Sequence, residues 1–306
     1  MNKKFKKLGI RTFGAVIVAV VALTFNYFNQ PEDIPSSNPS SISGEMEVHF
    51  IDVGQGDSIL IKDNDHAMLI DGGDNNKGKT VLSYLEKQKV QSLDYVIATH
   101  PHSDHIGGLS TVLQSMKVKE VILPKVAHNT KTYEDLIDTI QNKNIPVKQA
   151  IVGDRYQLDN ANFVILSPSS QTYEEMNNYS VGIKLTLGEV SFVMAGDAEK
   201  LSEEEMTKTG IDLSANVLKL SHHGASNAIN ENFYRAVHPK YAVISVGKDN
   251  SYNHPNAKTL LAMINHGIKI YRTDIQGSVV FHTDGTNLIE NSAPYEITSN
   301  DLENKK

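Results

Sequence analysis

Thr99-His100-Pro101-His102-Ser103-Asp104-His105 places four potential metal ligands within six residues, directly after the apolar run Tyr95-Val96-Ile97-Ala98. A strand through this run would carry His100 and His102 to alternate positions, so both imidazoles would point the same way. The next residues, Asp104 and His105, would fold back over the same point. Imidazoles and carboxylates at this density are typical of a metal site, and they predict two adjacent metal ions.

Two further apolar runs end in residues of the same kind. Phe192-Val193-Met194-Ala195 precedes Gly196-Asp197, and Val217-Leu218-Lys219-Leu220 precedes Ser221-His222-His223-Gly224. Asp197 is either the N-cap of the next helix or a carboxylate that bridges two metals, and the neighbouring histidine cluster favours the bridge. Adjacent side chains in an extended chain face opposite ways, so we expect only one of His222 and His223 to bind a metal directly. The other would orient that ligand or contact the substrate.

Two other polar residues can support such a site. Asp71, in Leu69-Ile70-Asp71-Gly72-Gly73, follows a strand-like run and is either a turn residue or an acceptor that orients a metal-binding imidazole from behind. His254, in a polar loop before Pro255, either lies on the surface or contacts the substrate. The remaining six histidines lack such neighbours, and we expect them to face solvent or to pack: His49, His66, His128, His238, His266 and His282.

The composition limits the kinds of site and partner. The chain of 306 residues contains no cysteine, so any metal must be held by histidine and carboxylate side chains. Its formal net charge is −7, but five of the 29 basic residues and only two of the 36 acidic ones lie before residue 45, which leaves −10 for the remainder. Such a body does not attract nucleic acid by bulk charge, so contact with a polyanion would depend on the metals and a local patch.

The N-terminus carries a membrane signal. Five basic residues within the first eleven precede the apolar run 13–25, and aromatic side chains follow at Tyr27 and Phe28. This pattern predicts that residues 1–28 are either a membrane anchor or a cleaved signal peptide, with the body outside the cytoplasm in both cases. Residues 29–44 hold three prolines and five serines, and we expect them to form a flexible linker.

The remaining chain, residues 45–306, alternates strand-like and helix-like segments. Apolar residues alternate from Met46 to Phe50, and further runs follow the turns near Gly54 and Asn64, which predicts antiparallel strands at the start. Helical periodicity follows at 79–89, 106–116 and 133–142, and again at 198–209, 230–237 and 257–265, with strand-like runs between. This order predicts the α/β class, with two sheets packed face to face and helices outside them, an αββα sandwich.

Taken together, these motifs resemble the metallo-β-lactamase superfamily. The similarity rests on Thr-His-x-His-x-Asp-His at 99–105, Leu-Ile-Asp-Gly-Gly at 69–73 and Ala-Gly-Asp at 195–197. Three more motifs, at 50–58, 220–224 and 252–255, are similar to the hydrolase domain of the ComEC-like competence proteins, which take up DNA. Those proteins also carry a many-helix membrane channel that this sequence does not show. The resemblance therefore implies a stand-alone form of the metallo-β-lactamase-like hydrolase domain.

The resemblance implies a ligand set for two divalent ions, zinc or manganese. His100 and His102 would bind the first ion, Asp104 and His105 the second, and Asp197 would bridge them. A histidine of the 222–223 pair would complete the second site. The superfamily's third histidine for the first ion is missing, since residues 176–180 read Met-Asn-Asn-Tyr-Ser. A site with fewer nitrogen ligands should be weaker and should favour Mn²⁺ more than an all-histidine zinc site does.

The implied chemistry is hydrolysis by a water that two metal ions activate. Asp104 would bind metal and manage the water's proton, while His223 or His254 would contact a phosphate oxygen or protonate the leaving group. The preferred hypothesis is a membrane-tethered or secreted phosphodiesterase or nuclease, with DNA as one candidate substrate. The alternatives are hydrolysis of another substrate outside the membrane, such as a cell-wall phosphorylcholine ester, a lactone or a β-lactam, and a binding module with a vestigial metal site.

Overall fold

The structure is a computed structural model, and it describes residues 45–228 and 230–303. The expected anchor or signal peptide, residues 1–28, and the expected linker, residues 29–44, lie outside the described residues. Within the described ranges, no helix is both long enough and apolar enough to cross a membrane.

The strands of the described residues form two sheets. In chain order they are β1 (Met46–Phe50), β2 (Ile59–Asp63), β3 (His66–Ile70), β4 (Ser92–Ile97), β5 (Lys117–Leu123), β6 (Val147–Gln149), β7 (Arg155–Leu158), β8 (Ala161–Ser167), β9 (Gly182–Leu187), β10 (Val190–Met194), β11 (Val217–Lys219), β12 (Tyr241–Ile244), β13 (Lys269–Arg272), β14 (Val279–Thr283) and β15 (Leu288–Glu290). One sheet has the order β15-β14-β1-β2-β3-β4-β5-β6, and the other has the order β13-β12-β11-β10-β9-β8-β7.

The pairing changes from antiparallel to parallel where the polar motifs lie. β1, β2 and β3 pair antiparallel, as the alternation at the start of the chain predicts. β3 pairs in parallel with β4, and β10 pairs in parallel with β11. Because parallel strands end at the same edge, the residues that follow them are brought together.

Helices cover the outer faces of the two sheets. The α-helices are α1 (Gly78–Lys87), α2 (Ser103–Ile106), α3 (Leu109–Ser115), α4 (Lys131–Asn142), α5 (Lys200–Lys208), α6 (Glu231–Val237), α7 (Ala257–Asn265), α8 (Thr273–Gln276) and α9 (Ser299–Leu302). Short 3₁₀ turns occur at Met176–Tyr179, Ser221–Gly224 and Ser226–Ala228.

Three apolar clusters hold the layers together. Along β10, Phe192 and Met194 face the opposite sheet, whereas Val193 faces the helices, as the period of two in a strand requires. The cluster between the sheets includes Phe50 and Phe281, both fully buried. A second cluster packs α1, α3 and α4 on one sheet, and a third packs α5, α6 and α7 on the other. The predicted αββα sandwich is confirmed.

One predicted helix is wrong. The segment 106–116 is not continuous, because α2 ends at Ile106 and α3 begins at Leu109. The backbone between them lies so close to the turn after β3 that a Cβ at Gly108 would overlap the carbonyl oxygen of Gly72. In return, Gly72 N donates to His105 O at 2.7 Å, which fixes the histidine loop against that turn. Apolar periodicity does not reveal such a contact between distant segments.

The segment beyond residue 285 packs on the same body as the two sheets. Asp301 Oδ1 accepts a hydrogen bond from Arg272 Nη1 at 2.6 Å, and Asp301 Oδ2 accepts one from the Tyr295 hydroxyl at 2.8 Å. Ile297 and Leu302 pack against the cluster beneath α7. The C-terminal segment therefore closes one end of the second sheet's helical layer.

Removal of residues 1–44 is expected to leave a soluble and active domain. β1 begins at Met46 and pairs with β14 on one side and with β2 on the other, so both of its neighbouring strands lie within the described residues. Thermal unfolding and metal-dependent hydrolysis by the truncated and full chains check this expectation. An insoluble or inactive truncation would contradict it.

Candidate metal centre

Four strand ends bring the polar motifs to one place. The residues that follow β3, β4, β10 and β11 include, in that order, Asp71, His100, Asp197 and His223. A backbone hydrogen bond of 2.9 Å from Val181 N to Thr99 O joins the two sheets at this edge. The candidate site therefore lies where the carboxyl ends of strands from both sheets meet.

Four side-chain donor atoms lie close together at this edge: Asp104 Oδ2, His105 Nε2, Asp197 Oδ2 and His223 Nε2. We call these four residues the deep cluster. His105 Nε2 and His223 Nε2 lie 3.2 and 3.3 Å from Asp197 Oδ2. The same two nitrogens lie 3.9 and 3.3 Å from Asp104 Oδ2. Donor atoms that bind one tetrahedral metal at about 2.0–2.1 Å are separated by about 3.4 Å. The spacing in the deep cluster fits that requirement.

Several donor atoms of the deep cluster form no hydrogen bond within the part of the chain that the structure describes. His105 Nε2, His223 Nε2 and Asp197 Oδ1 are buried, and none has a hydrogen-bond partner among the described residues. Buried polar atoms without partners are rare in native proteins and mark the place of a water or an ion. Their chemistry, two imidazole nitrogens with carboxylate oxygens, is that of zinc and manganese sites. The deep cluster can therefore hold a divalent metal.

Electrostatics favour positive charge at the same point. Burial opposes ionisation of Asp197, but the imidazoles of His105 and His223 outweigh it and hold the pKa of this carboxyl well below its usual value. Burial likewise opposes protonation of His105, but Asp197 and Asp104 outweigh it and raise the pKa of its imidazole well above the usual value. A divalent cation that displaces the proton would balance the same negative charge of the two carboxylates.

A second pair of donors lies beside the deep cluster. His100 Nε2 is 3.0 Å from His102 Nδ1, and His100 also lies close enough to His105 and Asp197 for the three to share an ion. Thr99 Oγ1 and Ser180 Oγ lie 3.1 and 3.3 Å from His100 Nδ1. These hydroxyls hold the far side of the His100 ring and leave Nε2 to face His102.

Two imidazoles of the deep cluster are oriented from behind. Asp71 Oδ2 lies 2.8 Å from His105 Nδ1 and accepts from the Thr99 hydroxyl at 2.7 Å. The carbonyl oxygen of Ser245 accepts from His223 Nδ1 at 2.9 Å. Because Nδ1 is engaged in both rings, Nε2 is the nitrogen that remains for a metal. The sequence left open whether Asp71 is a turn residue or an acceptor behind an imidazole. In the structure its carboxylate is fully buried and lies behind the His105 ring.

A buried ion pair beneath the deep cluster has no counterpart in the sequence prediction. Lys219 Nζ lies 2.5 Å from Asp57 Oδ2 and 3.8 Å from Asp197 Oδ1, and it donates to the carbonyl oxygen of Gly196 at 3.0 Å. Lys219 and Asp57 are almost fully buried. A lysine inside the apolar strand 217–220 was the available signal, because lysine is rarely buried without a charged partner. Its partner comes from the turn before β2, which the sequence does not indicate.

The two adjacent histidines, His222 and His223, do not have the backbone conformation that the sequence predicts. Their φ angles are 49° and 53°, so the chain is left-handed there and the expected extended conformation is wrong. His223 enters the deep cluster. His222 stays at its edge, with Nε2 4.0 Å from Asp197 Oδ2 and Nδ1 3.6 Å from Glu199 Oε1. The structure therefore brings one histidine of the pair among the donors and leaves the other beside them.

A pocket of about 390 Å³ opens above the deep cluster. His222 and His254 line it with ring centroids 5.6 Å apart, and burial lowers the pKa of His254 to about 4. The Tyr252 ring stacks on the His254 ring at 5.8 Å and 23°, and Tyr252 is 64% exposed. His128 also lines the pocket, although the sequence gave no reason to place it near the metal motifs.

Known proteins share this sequence and this fold. Residues 51–248 match the family model of the metallo-beta-lactamase superfamily. ComE operon protein 3 of Bacillus subtilis (strain 168) is 31% identical over 258 residues, which cover 78% of this chain and 33% of that protein. Competence protein ComA of Neisseria gonorrhoeae is 29% identical over 276 residues, which cover 90% of this chain and 36% of that protein. The chain thus spans about a third of the length of these relatives.

A solved structure supports the fold independently. The metallo-beta-lactamase fold protein YhfI from Bacillus subtilis has a TM-score of 0.51 and 13% identity, over 78% of this chain and 100% of that chain. At this identity the likeness concerns the fold alone. The family match covers more than half of the chain and includes the deep cluster. The chain therefore belongs to the metallo-β-lactamase superfamily, and it is similar to the corresponding domain of the ComEC-like competence proteins.

Proposed function

We propose that this protein is a metal-dependent phosphodiesterase that acts on nucleic acid. The observation that carries the proposal is the deep cluster, whose unpaired donors lie at the floor of a polar pocket of about 390 Å³. Members of the metallo-β-lactamase superfamily are generally metal-dependent hydrolases. The similarity to competence proteins, which handle DNA, supports a phosphodiester as the substrate.

Two divalent ions, zinc or manganese, would share this centre. Asp104, His105 and His223 would hold one ion, and His100 with His102 would hold the other. Asp197 would lie between them, because its Oδ2 is 3.2 and 3.3 Å from the imidazole nitrogens of His105 and His223 and the residue can also share an ion with His100. When bound, two such ions lower the pKa of a water and stabilise charge on the phosphate that it attacks.

Side chains of the pocket would bind the phosphate and move protons. Asp104 has a side chain 28% exposed, so its carboxylate can accept a proton from water in the pocket. His223, which the sequence offered as a proton donor, has its Nε2 in the deep cluster and would act as a ligand. His222 and His254 line the pocket and would donate hydrogen bonds to phosphate oxygens. With a pKa of about 4, His254 would do so as a neutral imidazole.

An exposed aromatic platform favours nucleic acid over other esters. Tyr252 presents its ring to solvent beside the pocket, backed by the His254 ring at 5.8 Å. Bases stack on such rings with about 1–3 kcal/mol each, without regard to sequence. This contact does not need a basic surface, which the body, at −10, does not offer.

Replacement of Tyr252 by Ala is expected to raise KM for an oligonucleotide about 5–10-fold with little change in kcat, because stacking is lost while the metal centre stays intact. Tyr252→Phe keeps the ring and should behave as the wild type. Steady-state kinetics on a short oligonucleotide and on methyl p-nitrophenyl phosphate separate the effects, since only the oligonucleotide carries bases. An equal loss on both substrates would contradict the stacking role.

The location of the enzyme is part of the proposal. The basic and apolar residues 1–28 would anchor the protein in the membrane or direct its secretion, and the hydrolase domain would lie outside the cytoplasm. Protease treatment of intact cells tests this, because an outward-facing domain is digested while a cytoplasmic marker survives. A protected domain would contradict the proposed location.

A substrate panel tests the proposed activity. Metal-stripped protein reconstituted with Mn²⁺ or Zn²⁺ is offered single- and double-stranded DNA, RNA, a chromogenic phosphodiester, a phosphorylcholine ester, a lactone and a β-lactam. We expect turnover of phosphodiesters and nucleic acid, and none without metal. Turnover confined to the lactone, the β-lactam or the phosphorylcholine ester would favour another extracellular substrate. Tight binding of metal without any turnover would favour a binding module.

A further inference from the structure

The ligand set that the superfamily implies for the first ion lacks its third histidine in this chain. Residues 176–180 occupy the corresponding part of the sequence. The 3₁₀ turn Met176–Tyr179 carries two adjacent asparagines, both almost fully buried. Asn178 Oδ1 accepts hydrogen bonds from Glu199 N at 3.2 Å and from Ser202 N at 3.3 Å. Asn178 is therefore engaged at the start of α5 and is not available to a metal.

Asn177 is different, because its carbonyl oxygen has no hydrogen-bond partner among the residues that the structure describes. Asn177 Oδ1 is buried and forms no hydrogen bond with any described residue. Its Nδ2 donates to Glu199 Oε1 at 2.9 Å. A carboxylate can only accept hydrogen bonds from an amide, so Glu199 fixes the nitrogen on its own side and turns the oxygen away. Burial of a carbonyl oxygen without a partner is costly, so in native proteins such an atom usually faces a water or an ion.

Asn177 lies beside the candidate centre. Asn177 lines the same pocket as His102 and Asp104, and its amide nitrogen is 3.5 Å from His222 Nε2. His102 Nδ1 lies 3.0 Å from His100 Nε2, and His100 lies close enough to His105 and Asp197 for the three to share an ion. With a carboxylate oxygen of Asp197 and the amide oxygen of Asn177, these two imidazole nitrogens would make two nitrogen and two oxygen donors, a complete set for one divalent ion.

We propose that Asn177 is the fourth protein ligand of the first ion, besides His100, His102 and the bridging Asp197, and that Glu199 is the residue that positions it. This inference rests on the two-ion centre of the proposed function. An amide oxygen is a harder donor than an imidazole, so the first ion is bound less tightly as zinc and relatively better as manganese. The departure from the superfamily pattern is thus a substitution of one ligand by another, not a vacancy.

Metal retention tests the proposal without reference to activity. The full chain and its variants are dialysed against fixed free Mn²⁺ or Zn²⁺, and bound metal is measured by elemental analysis, with Mn²⁺ magnetic resonance to distinguish coupled pairs from single ions. Asn177→Ala should weaken one of the two ions about 10–100-fold and leave a single-ion spectrum. Asn177→His should retain both ions and shift the zinc-over-manganese preference upward at least about tenfold.

Asn227→Ala is the matched control. Asn227 donates to the same Glu199 Oε1 at 2.9 Å, but it is exposed and has no unpaired buried oxygen. This variant should keep both ions and the coupled spectrum. Circular dichroism confirms that each variant is folded, and Asn177→His carries the test if Asn177→Ala is not.

The outcomes separate this inference from the proposed function. If the wild type binds two ions and the Asn177 variants bind them with unchanged affinity and preference, the ligand assignment is overturned while the two-ion centre stands. If the wild type binds fewer than two ions at saturating metal, both are overturned. If Asn177→Ala and Asn227→Ala lose the same ion equally, Asn177 acts only through Glu199 and is not a ligand.

Discussion

Asp104→Asn is expected to reduce metal-dependent hydrolysis on the order of a thousandfold while the fold remains intact. The amide removes the negative charge that Asp104 Oδ2 places 3.3 Å from His223 Nε2, and with it a carboxylate of the deep cluster. The loss of folding stability should be small, because the side chain is 28% exposed and lies in α2, outside the apolar clusters. Initial rates at saturating Mn²⁺ and thermal unfolding of metal-free protein measure the two effects.

Asp138→Asn serves as the control for Asp104→Asn. Asp138 is exposed on α4, so the variant makes the same change of charge away from the deep cluster. It should keep wild-type rates and stability. Comparable activity of Asp104→Asn and Asp138→Asn would contradict the role of Asp104 in the metal centre. A melting temperature of metal-free Asp104→Asn many degrees below that of the metal-free wild type would contradict the expected small effect on folding stability.

Lys219→Met is expected to destabilise the metal-free protein by about 3–5 kcal/mol. The substitution leaves Asp57 as a buried carboxylate without its cation, since Lys219 Nζ stands 2.5 Å from Asp57 Oδ2. Burial raises the pKa of Asp57, but Lys219 and the nearby imidazoles outweigh it and lower the pKa, so the folded protein holds Asp57 charged. The free energy of unfolding in urea, measured with chelator present, gives the magnitude without a contribution from bound metal.

Two further variants make the Lys219 prediction specific. Lys184 Nζ lies 2.7 Å from Asp212 Oδ2, and the side chain of Asp212 is 73% exposed. Lys184→Met should therefore lower the free energy of unfolding by less than about 1 kcal/mol. Adding Asp57→Asn to Lys219→Met removes the uncompensated charge and should recover part of the lost stability. If Lys219→Met costs no more than Lys184→Met, the buried pair does not carry the stability assigned to it.

The layered architecture and most residues of the candidate metal centre could be predicted from the sequence, because both depend on where apolar runs end. His100, Asp197 and His223 each come shortly after a buried strand, and parallel neighbours bring such ends together. The same reasoning gave the antiparallel opening and the helices around both sheets. These features depend on periodicity within short segments, which the sequence displays directly.

Features that depend on contacts between distant segments were not predictable in this way. The break between α2 and α3 follows from the approach of Gly108 to Gly72, and the left-handed backbone at His222 does not follow from its residue type. The partner of Lys219 lies in a turn far away along the chain. Likewise, the choice between Asn177 and Asn178 required their hydrogen bonds, since the two residues are identical in type and adjacent.

The most direct test of the metal-dependent hydrolase is the initial rate of phosphodiester hydrolysis as metal-stripped protein is titrated with Mn²⁺. We expect no turnover before metal is added and a rate that rises until about two equivalents per chain are bound. The same titration of Asp104→Asn should stay near background. A wild-type rate that is already maximal in the presence of excess chelator, or that does not respond to metal, would contradict the account.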